Sequence, residues 1–112
     1  MAVKIKIIDN VAIIKVRGIF NDNEEITEIR DQVKKLISEH IHKFVLDLSR
    51  VKWMNSHGLG TLMACYSSVQ NVNGKIGIAK TPDRIMKIMT ISNVHRLFDH
   101  FDSLKQAIRY FQ

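Results

Sequence analysis

Residues 44–66, FVLDLSRVKWMNSHGLGTLMACY, place a short apolar run, a polar segment and an amphipathic stretch in direct succession. The run at 44–48 is almost continuously apolar, which is typical of a strand buried on both faces of a parallel sheet. Residues 49–58 are expected to form a loop, after which apolar residues recur at helical spacing until the stop signal Asn73-Gly74. Because residues 75–79 again have the composition of a strand, the stretch predicts a βαβ unit with a right-handed crossover.

The residues before this unit predict a hairpin and a helix. Residues 3–16 alternate apolar and polar side chains on either side of Asp9-Asn10, a pair that tolerates the left-handed backbone of a turn. We expect the hairpin to end at Gly18. Apolar residues at helical spacing over 26–37, with acids early and lysines late, predict one helix whose charges suit the helix dipole.

The residues after the unit continue the alternation of helices and strands. Pro82 begins a third helix, with Thr81 as the candidate N-cap. Residues 94–98 predict a last short strand or a turn, and 104–111 predict a C-terminal amphipathic helix capped by Asp102 or Ser103. The sequence therefore predicts one α/β domain over residues 1–112, with a mixed, mostly parallel sheet and about four helices.

Composition and charge restrict the function. The chain has 112 residues, 46% of them hydrophobic, and one cysteine. This excludes a disulfide framework, and no apolar run is long enough for a membrane span or a signal peptide, so we expect a cytoplasmic protein. The formal net charge is +6, yet the basic residues between 43 and 96 are scattered singly. This pattern favours a solvated basic face, one able to meet an acidic partner, over a nucleic-acid site.

Motifs for cofactor, metal or nucleophilic chemistry are missing from the sequence. It contains no GxGxxG, no phosphate-binding GxxxxGK[ST], no HExxH and no CxxC, and the five histidines lack the spacing of a helical metal pair. Cys65 is expected to be a buried, inert thiol. Ser56 and His57 are adjacent, so they project in different directions and form a poor catalytic relay. We therefore expect no cofactor, no metal, no catalytic residue and no enzymatic activity.

Residues 53–60, WMNSHGLG, lie where a parallel strand ends and a helix begins, which is where sites collect in α/β sheets. Asn55 or Ser56 would be the N-cap, and the free amides and dipole of the helix would tolerate a phosphate on Ser56. Glycine in a helix costs about 1 kcal/mol relative to alanine. Gly58 and Gly60 therefore indicate close approach, either by a neighbouring strand or by a partner. The alternative is a plain helix cap with two packing glycines.

The stretch at 44–66 resembles the signature of the STAS domain family, named for sulfate transporters and anti-sigma factor antagonists. The family pattern is a strand ending in L-D-L-S, then an apolar residue and x-x-M-D-S-S-G-L-G-x-L. The resemblance continues through NGKIGIA at 73–79 and TPDRIMKIMTISNVHRLFDHFDSLKQAI at 81–108. Two positions depart from the pattern, since Asn55 replaces its Asp and His57 replaces its second Ser.

The resemblance implies a stand-alone bacterial anti-sigma factor antagonist that binds an anti-sigma factor with serine-kinase activity. In such proteins the kinase phosphorylates the serine that matches Ser56, binding is lost, and a phosphatase reverses the change. From the composition and charge pattern we also expect no membrane insertion and no nucleic-acid binding, and the chain is expected to be a monomer or weak dimer. The expected partner-binding residues, joined by Ile91 from the next helix, are Met54, Asn55, Ser56, His57, Gly58, Leu59, Gly60 and Met63.

Two other functions remain open at this stage. STAS proteins also include accessory subunits of membrane transport machines, so the chain could instead dock, unphosphorylated, on a transport ATPase or another membrane complex. The basic charge would suit a position near anionic lipid. A small-molecule sensor or nucleotide binder is the third alternative, although the sequence contains no pocket signature.

Overall fold

The computed structural model describes residues 2–112 and contains one five-stranded sheet with the strand order β1-β2-β3-β4-β5. The first two strands pair antiparallel, and each later strand pairs parallel to its neighbour. The predicted mixed, mostly parallel α/β fold with an N-terminal hairpin is therefore confirmed. The strands are β1 (Val3–Ile8), β2 (Val11–Phe20), β3 (Lys43–Met54), β4 (Lys75–Ala79) and β5 (Asp99–Phe101).

Four helices of eight residues or more, one short helix and a 3₁₀ turn at Val94–Leu97 connect or follow these strands within residues 2–112. This confirms the prediction of about four helices. The helices are α1 (Glu24–Thr27), α2 (Ile29–Ser38), α3 (Ser56–Gln70), α4 (Asp83–Ile91) and α5 (Leu104–Phe111).

The helices cover the two sides of the sheet unequally. Helices α1 to α4 bury their apolar residues in one large core, which includes Ile29, Leu62 and Ile85 together with alternate residues of the strands. Helix α5 instead packs Ala107 and Phe111 against Val11, Ile13, Val45 and Ala79 in a separate, smaller core. We call the side under α1 to α4 the inner side and the side that carries α5 the outer side.

Two strand boundaries differ from the sequence prediction. Strand β2 does not end at Gly18 but continues to Phe20, because Gly18 takes a φ of +93° and the strand passes it with a shift in register. Strand β3 does not end at 48 but continues to Met54, so residues 49–54 are not a loop. Their pairing with the extended β2, including Ile19 with Trp53, supplies the backbone hydrogen bonds that a loop would lack.

Several helix ends also differ from the prediction. The helix expected over 26–37 is broken at Glu28 into α1 and α2. Pro82, not Thr81, is the N-cap of α4. Residues 94–98 form a 3₁₀ turn, and the last strand begins only at Asp99. Of the two caps proposed for α5, Ser103 is the one observed, since its hydroxyl accepts a hydrogen bond from Gln106 N at 3.1 Å.

Asp47 is the one buried charged side chain in residues 2–112. It lies in the middle of β3, and its Oδ1 accepts a hydrogen bond from Ser49 N at 3.0 Å. Its Oδ2 lies 3.5 Å from Lys80 Nζ and 3.9 Å from Lys15 Nζ. Since an isolated buried charge is costly, Lys15 on β2 and Lys80, which directly follows β4, compensate the carboxylate.

Candidate functional site

The candidate site is the junction of β3 and α3. Asn55 lies between them with an extended backbone, and its side-chain oxygen accepts a hydrogen bond from Gly58 N at 3.0 Å. Its own N–H donates to Phe20 O at 3.2 Å. Asn55 is therefore the N-cap of α3 and also joins the helix start to the end of β2. An asparagine caps a helix as well as an aspartate does, so replacing the family's Asp leaves this geometry intact.

Gly58 is required by the packing of α3 on β2. A Cβ placed on Gly58 would overlap the carbonyl oxygen of Phe20 and come within 2.8 Å of its carbonyl carbon and its ring. The glycine therefore allows the first turn of the helix to rest directly on the strand backbone. This supports close approach by a neighbouring strand, one of the two explanations that the sequence left open.

Gly60 has a different environment. It is exposed, and a Cβ added there would meet nothing within 4 Å. Packing inside this chain therefore does not explain it. Gly60 lies four residues after Ser56 and three before Met63, so the three positions share one face of α3. Because Gly60 has no side chain, the helix backbone is exposed in the middle of that face.

Ser56 is the first residue of α3 and is exposed, as is His57. Within residues 2–112 the Ser56 hydroxyl has no hydrogen-bond partner. Its position is also where the free amides and positive dipole end of the helix lie. A group added to this oxygen would therefore project into solvent and, if anionic, would be stabilised by the helix.

A groove of about 260 Å³ runs between α1–α2 and α3 beside this serine. Arg30, from α2, and Ser56 both line it, together with His57, Gly60 and Thr61. The position of Arg30 was not anticipated from the sequence, because the residue lies in a different helix and no motif links it to Ser56. Arg30 therefore lines the same groove as the helix end that the sequence had marked as tolerant of phosphate.

The other predicted site residues divide into exposed and buried positions. Met63 is 48% exposed on α3, and Ile91 is 87% exposed at the end of α4. Leu59 is half-buried against the core. Met54 is only 1% exposed, so the expectation that it contributes to an exposed apolar patch is wrong: β3 extends to this residue and turns its side chain into the inner core. Gly58 is likewise buried and supports the surface from beneath.

Cys65 is fully buried in α3, and burial raises the pKa of its thiol to about 12, although the nearby Arg30 acts in the opposite direction. Because the thiolate is the reactive form, the native thiol should not react with a disulfide reagent at pH 8 and should react once urea unfolds the chain.

The same thiol should make the stability depend on pH, because the pKa of an exposed cysteine is near 9.0, below that of the buried one. The unfolded state therefore loses its proton first, and the free energy of unfolding should fall as the pH rises above about 9. Rapid native labelling of Cys65 would contradict this description.

Neither a metal site nor a membrane-spanning helix is found in the part of the chain that the structure describes. Among residues 2–112, no three His, Cys, Asp or Glu side chains are grouped so that they could hold a metal ion. Within the same residues, no helix has the length and apolar character to cross a membrane.

The chain belongs to the STAS domain family, whose model matches residues 2–107, and this confirms the resemblance found in the sequence. A Thermotoga neapolitana protein, described as the homologue of a candidate anti-sigma factor antagonist, is 24% identical over 78 residues. That alignment covers 70% of this chain and 69% of the relative.

Solved structures show the same fold. The anti-sigma factor antagonist SpoIIAA in its unphosphorylated form superposes with a TM-score of 0.84 at 16% identity, over 97% of this chain and 95% of that one. The Bacillus cell fate determinant SpoIIAA in its phosphorylated form gives 0.78 at 16% identity, over 99% and 100% of the two chains. At 16% identity the likeness establishes the fold alone, and the function of the site depends on the residues of this chain.

Proposed function

We propose that this chain is a cytoplasmic anti-sigma factor antagonist that binds an anti-sigma factor with serine-kinase activity through the start of α3. Phosphorylation of Ser56 abolishes the complex, and a phosphatase restores it. The observation that carries the proposal is the exposed Ser56 hydroxyl, without a partner in residues 2–112, at the first position of a firmly capped fifteen-residue helix. The names of the STAS relatives support the same role.

The docking surface would be the outward face of α3. Ser56, Gly60 and Met63 lie on it at positions i, i+4 and i+7, a spacing used when a helix face contacts a partner. Methionine side chains adapt to an opposing surface, and the exposed helix backbone at Gly60 lets a partner backbone approach closely. His57 and the exposed part of Leu59 would border the contact. Asn55, Met54 and Gly58 would act indirectly by holding the helix start in place.

Phosphorylation of Ser56 would weaken binding of the partner but would leave the stability of this chain almost unchanged. The phosphate adds a charge of about −1.5 to −2, which the free amides of α3 can accommodate. Arg30 adds a positive charge to the groove beside the serine. A partner docked on the same helix end meets a charged, hydrated group instead of a small hydroxyl. The complex would then be lost through desolvation and repulsion while the fold is retained.

The role proposed is regulatory, not catalytic. His57 is the nearest titratable side chain in sequence to Ser56, but consecutive helix positions point about 100° apart, so it is poorly placed to take the serine proton. Ser56 would therefore be the substrate of another enzyme.

A surface substitution tests the docking face. Met63→Arg should weaken binding of an anti-sigma factor from the same genome by about 100-fold, since a charge placed at a buried contact must be desolvated without a partner. Tyr110→Arg is the matched control, because Tyr110 is 64% exposed on α5, on the other side of the sheet. Isothermal titration calorimetry would measure both. Unchanged affinity for Met63→Arg, or equal losses for the two variants, would contradict the proposed surface.

A further inference from the structure

Strand β1 is an edge of the sheet, because within residues 2–112 its only neighbouring strand is β2. In an antiparallel pair every second residue exchanges hydrogen bonds with the partner strand, and the residues between them point their N–H and C=O groups the other way. The backbone N–H of Arg17 on β2 donates to Ala2 O at 2.8 Å, which fixes this alternation. The residues of β1 whose backbone groups point away from the sheet are therefore Val3, Ile5 and Ile7.

A carboxylate already occupies the start of this edge. Glu25 on α1 accepts a hydrogen bond from Val3 N at 2.9 Å through its Oε1. It therefore stands where a carbonyl group of a further strand would lie. The outward N–H and C=O groups of Ile5 and Ile7 have no partner within residues 2–112. An edge with unpaired backbone groups of this kind is a template for another strand.

The two sides of the edge differ in chemistry. Lys4 and Lys6 are exposed and lie on the outer side, where Lys6 pairs with Ile13 of the outer core. Neither lysine takes part in a salt bridge with another residue of the described chain. Ile5 and Ile7 lie on the inner side, where Ile5 packs against the core and Ile7 is 45% exposed. The edge is therefore basic on one side and apolar on the other.

A groove of about 250 Å³ lies beside β1 on the inner side, next to helices α1 and α2. Its lining combines apolar and polar side chains, namely Val3, Ile5, Ile29, Glu25, Glu28 and Gln32. An apolar side chain of an added strand would enter this groove next to Ile5. An acidic side chain would be repelled by Glu25 and Glu28, so the groove selects against acids on the inner side.

From the unpaired edge, the lysines on its outer side and the groove on its inner side, we infer that β1 binds an extended polypeptide segment of alternating acidic and apolar residues. The segment would add a strand to the sheet through backbone hydrogen bonds to Ile5 and Ile7. Successive side chains of a strand point to opposite sides. The acids of the segment would therefore lie beside Lys4 and Lys6, while its apolar residues cover Ile7 and fill the groove.

Other occupants fit the edge less well. Antiparallel pairing of two copies of β1 over Ile5 and Ile7 would place lysines of one copy opposite lysines of the other, and like charges at paired positions destabilise a sheet. A bilayer would attract the lysines but would supply no hydrogen-bond partners in its apolar interior for the backbone of the edge. An acidic strand satisfies both the charges and the backbone.

This contact is separate from the one proposed at Ser56. Helix α2 stands between the two places, since Arg30 lines the groove beside Ser56 and Gln32 lines the groove beside β1. The inference for β1 therefore does not depend on the proposed function, and failure of either one leaves the other intact.

Amide hydrogen exchange measured by NMR tests the inference residue by residue. The probe is a short capped peptide in which glutamate and valine alternate, added to the full chain at up to millimolar concentration. We expect exchange at Ile5 and Ile7 to slow by at least about tenfold, because an added strand would bond to these two amides. The control is a peptide of the same composition with its glutamates and valines in separate blocks. It should slow exchange by less than about twofold, because its acids cannot all face one side.

A charge reversal separates binding from folding. Lys4→Glu combined with Lys6→Glu should leave the stability towards urea unimpaired, since the new carboxylate at position 4 faces a lysine of β2. The variant should lose protection by the glutamate peptide and gain protection of the same two amides by a peptide that alternates lysine and valine. Lys75→Glu combined with Lys87→Glu changes the net charge equally at exposed positions of β4 and α4 and should keep the parental preference.

Several results would overturn the inference. Unchanged exchange at Ile5 and Ile7 with millimolar alternating peptide, or equal protection by the block peptide, would mean that β1 accepts no such strand. The same loss in both double variants would mean general attraction to a basic protein. Protection that appears on concentrating the protein alone would assign the edge to a second copy of this chain. Protection by phosphatidylglycerol vesicles but not by the peptide would assign it to a membrane.

Discussion

Ser56→Asp is expected to lower the affinity for the anti-sigma partner by about 100-fold, which corresponds to ~2.7 kcal/mol. The carboxylate imitates part of the charge of a phosphate at a position where the proposed partner must exclude water. The same substitution should not harm the fold, since an acidic side chain in the first turn of a helix stabilises it by roughly 0.3–1 kcal/mol. Calorimetric titration gives the affinity, and urea unfolding monitored by circular dichroism gives the stability.

Two further variants serve as controls for this result. Ser56→Ala should bind the partner nearly as well as the parent, because it removes only a hydroxyl. Ser67→Asp introduces the same charge at an exposed position three turns further along α3 and should weaken binding far less. Parental affinity of Ser56→Asp would contradict the proposed switch. Equal losses at positions 56 and 67 would mean that any charge on this helix disturbs the complex.

Gly58→Ala is expected to destabilise the chain by about 3 kcal/mol, the upper end of the range for overpacking a well-filled interior. The new methyl group would overlap the Phe20 carbonyl, which is backbone and cannot rotate away. Either α3 lifts from β2 or β2 moves, and both would strain the hydrogen bond from Asn55 N to Phe20 O. The midpoint of urea unfolding, compared with that of the parent, measures the loss.

Gly60→Ala is the matched control, because the same change two residues later meets open space. It should stabilise the chain by about 1 kcal/mol, since alanine is the better helix former. Opposite effects at two glycines of the same helix turn would show that packing against Phe20, and not the helix propensity of glycine, makes a glycine necessary at position 58. Equal stability changes for the two variants would contradict this explanation.

The order of strands and helices up to α4 followed from the sequence, because each element either has one clearly apolar side or, like residues 44–48, is apolar on both sides. The extent of β3 did not, since only Val51 among residues 49–53 is buried and the others lie partly or fully exposed. Their polar side chains, such as Arg50 and Lys52, therefore resembled those of a loop. What made them a strand was a long-range partner, the extension of β2 beyond Gly18, which a local pattern does not contain.

In the candidate site, too, features set by neighbours in sequence could be predicted and features set by long-range packing could not. The cap could be narrowed to Asn55 or Ser56 from the sequence, because capping depends on neighbours along the chain, and the structure shows that it is Asn55. Three other features depend on elements that reach the site only through tertiary packing. They are the burial of Met54, the overlap at Gly58, and the presence of Arg30 in the groove that Ser56 lines. The two glycines looked alike in sequence, yet they have different environments.

Phosphosite mapping by mass spectrometry tests the central claim most directly. The chain would be isolated from its native cells with phosphatases inhibited, across growth and stress conditions, and co-purifying proteins would be identified in the same samples. We expect phosphate on Ser56, with the kinase-type anti-sigma factor recovered only with the unphosphorylated chain. Ser56 unmodified under every condition, with subunits of a transport complex recovered instead, would contradict the account and identify the chain as a constitutive docking module.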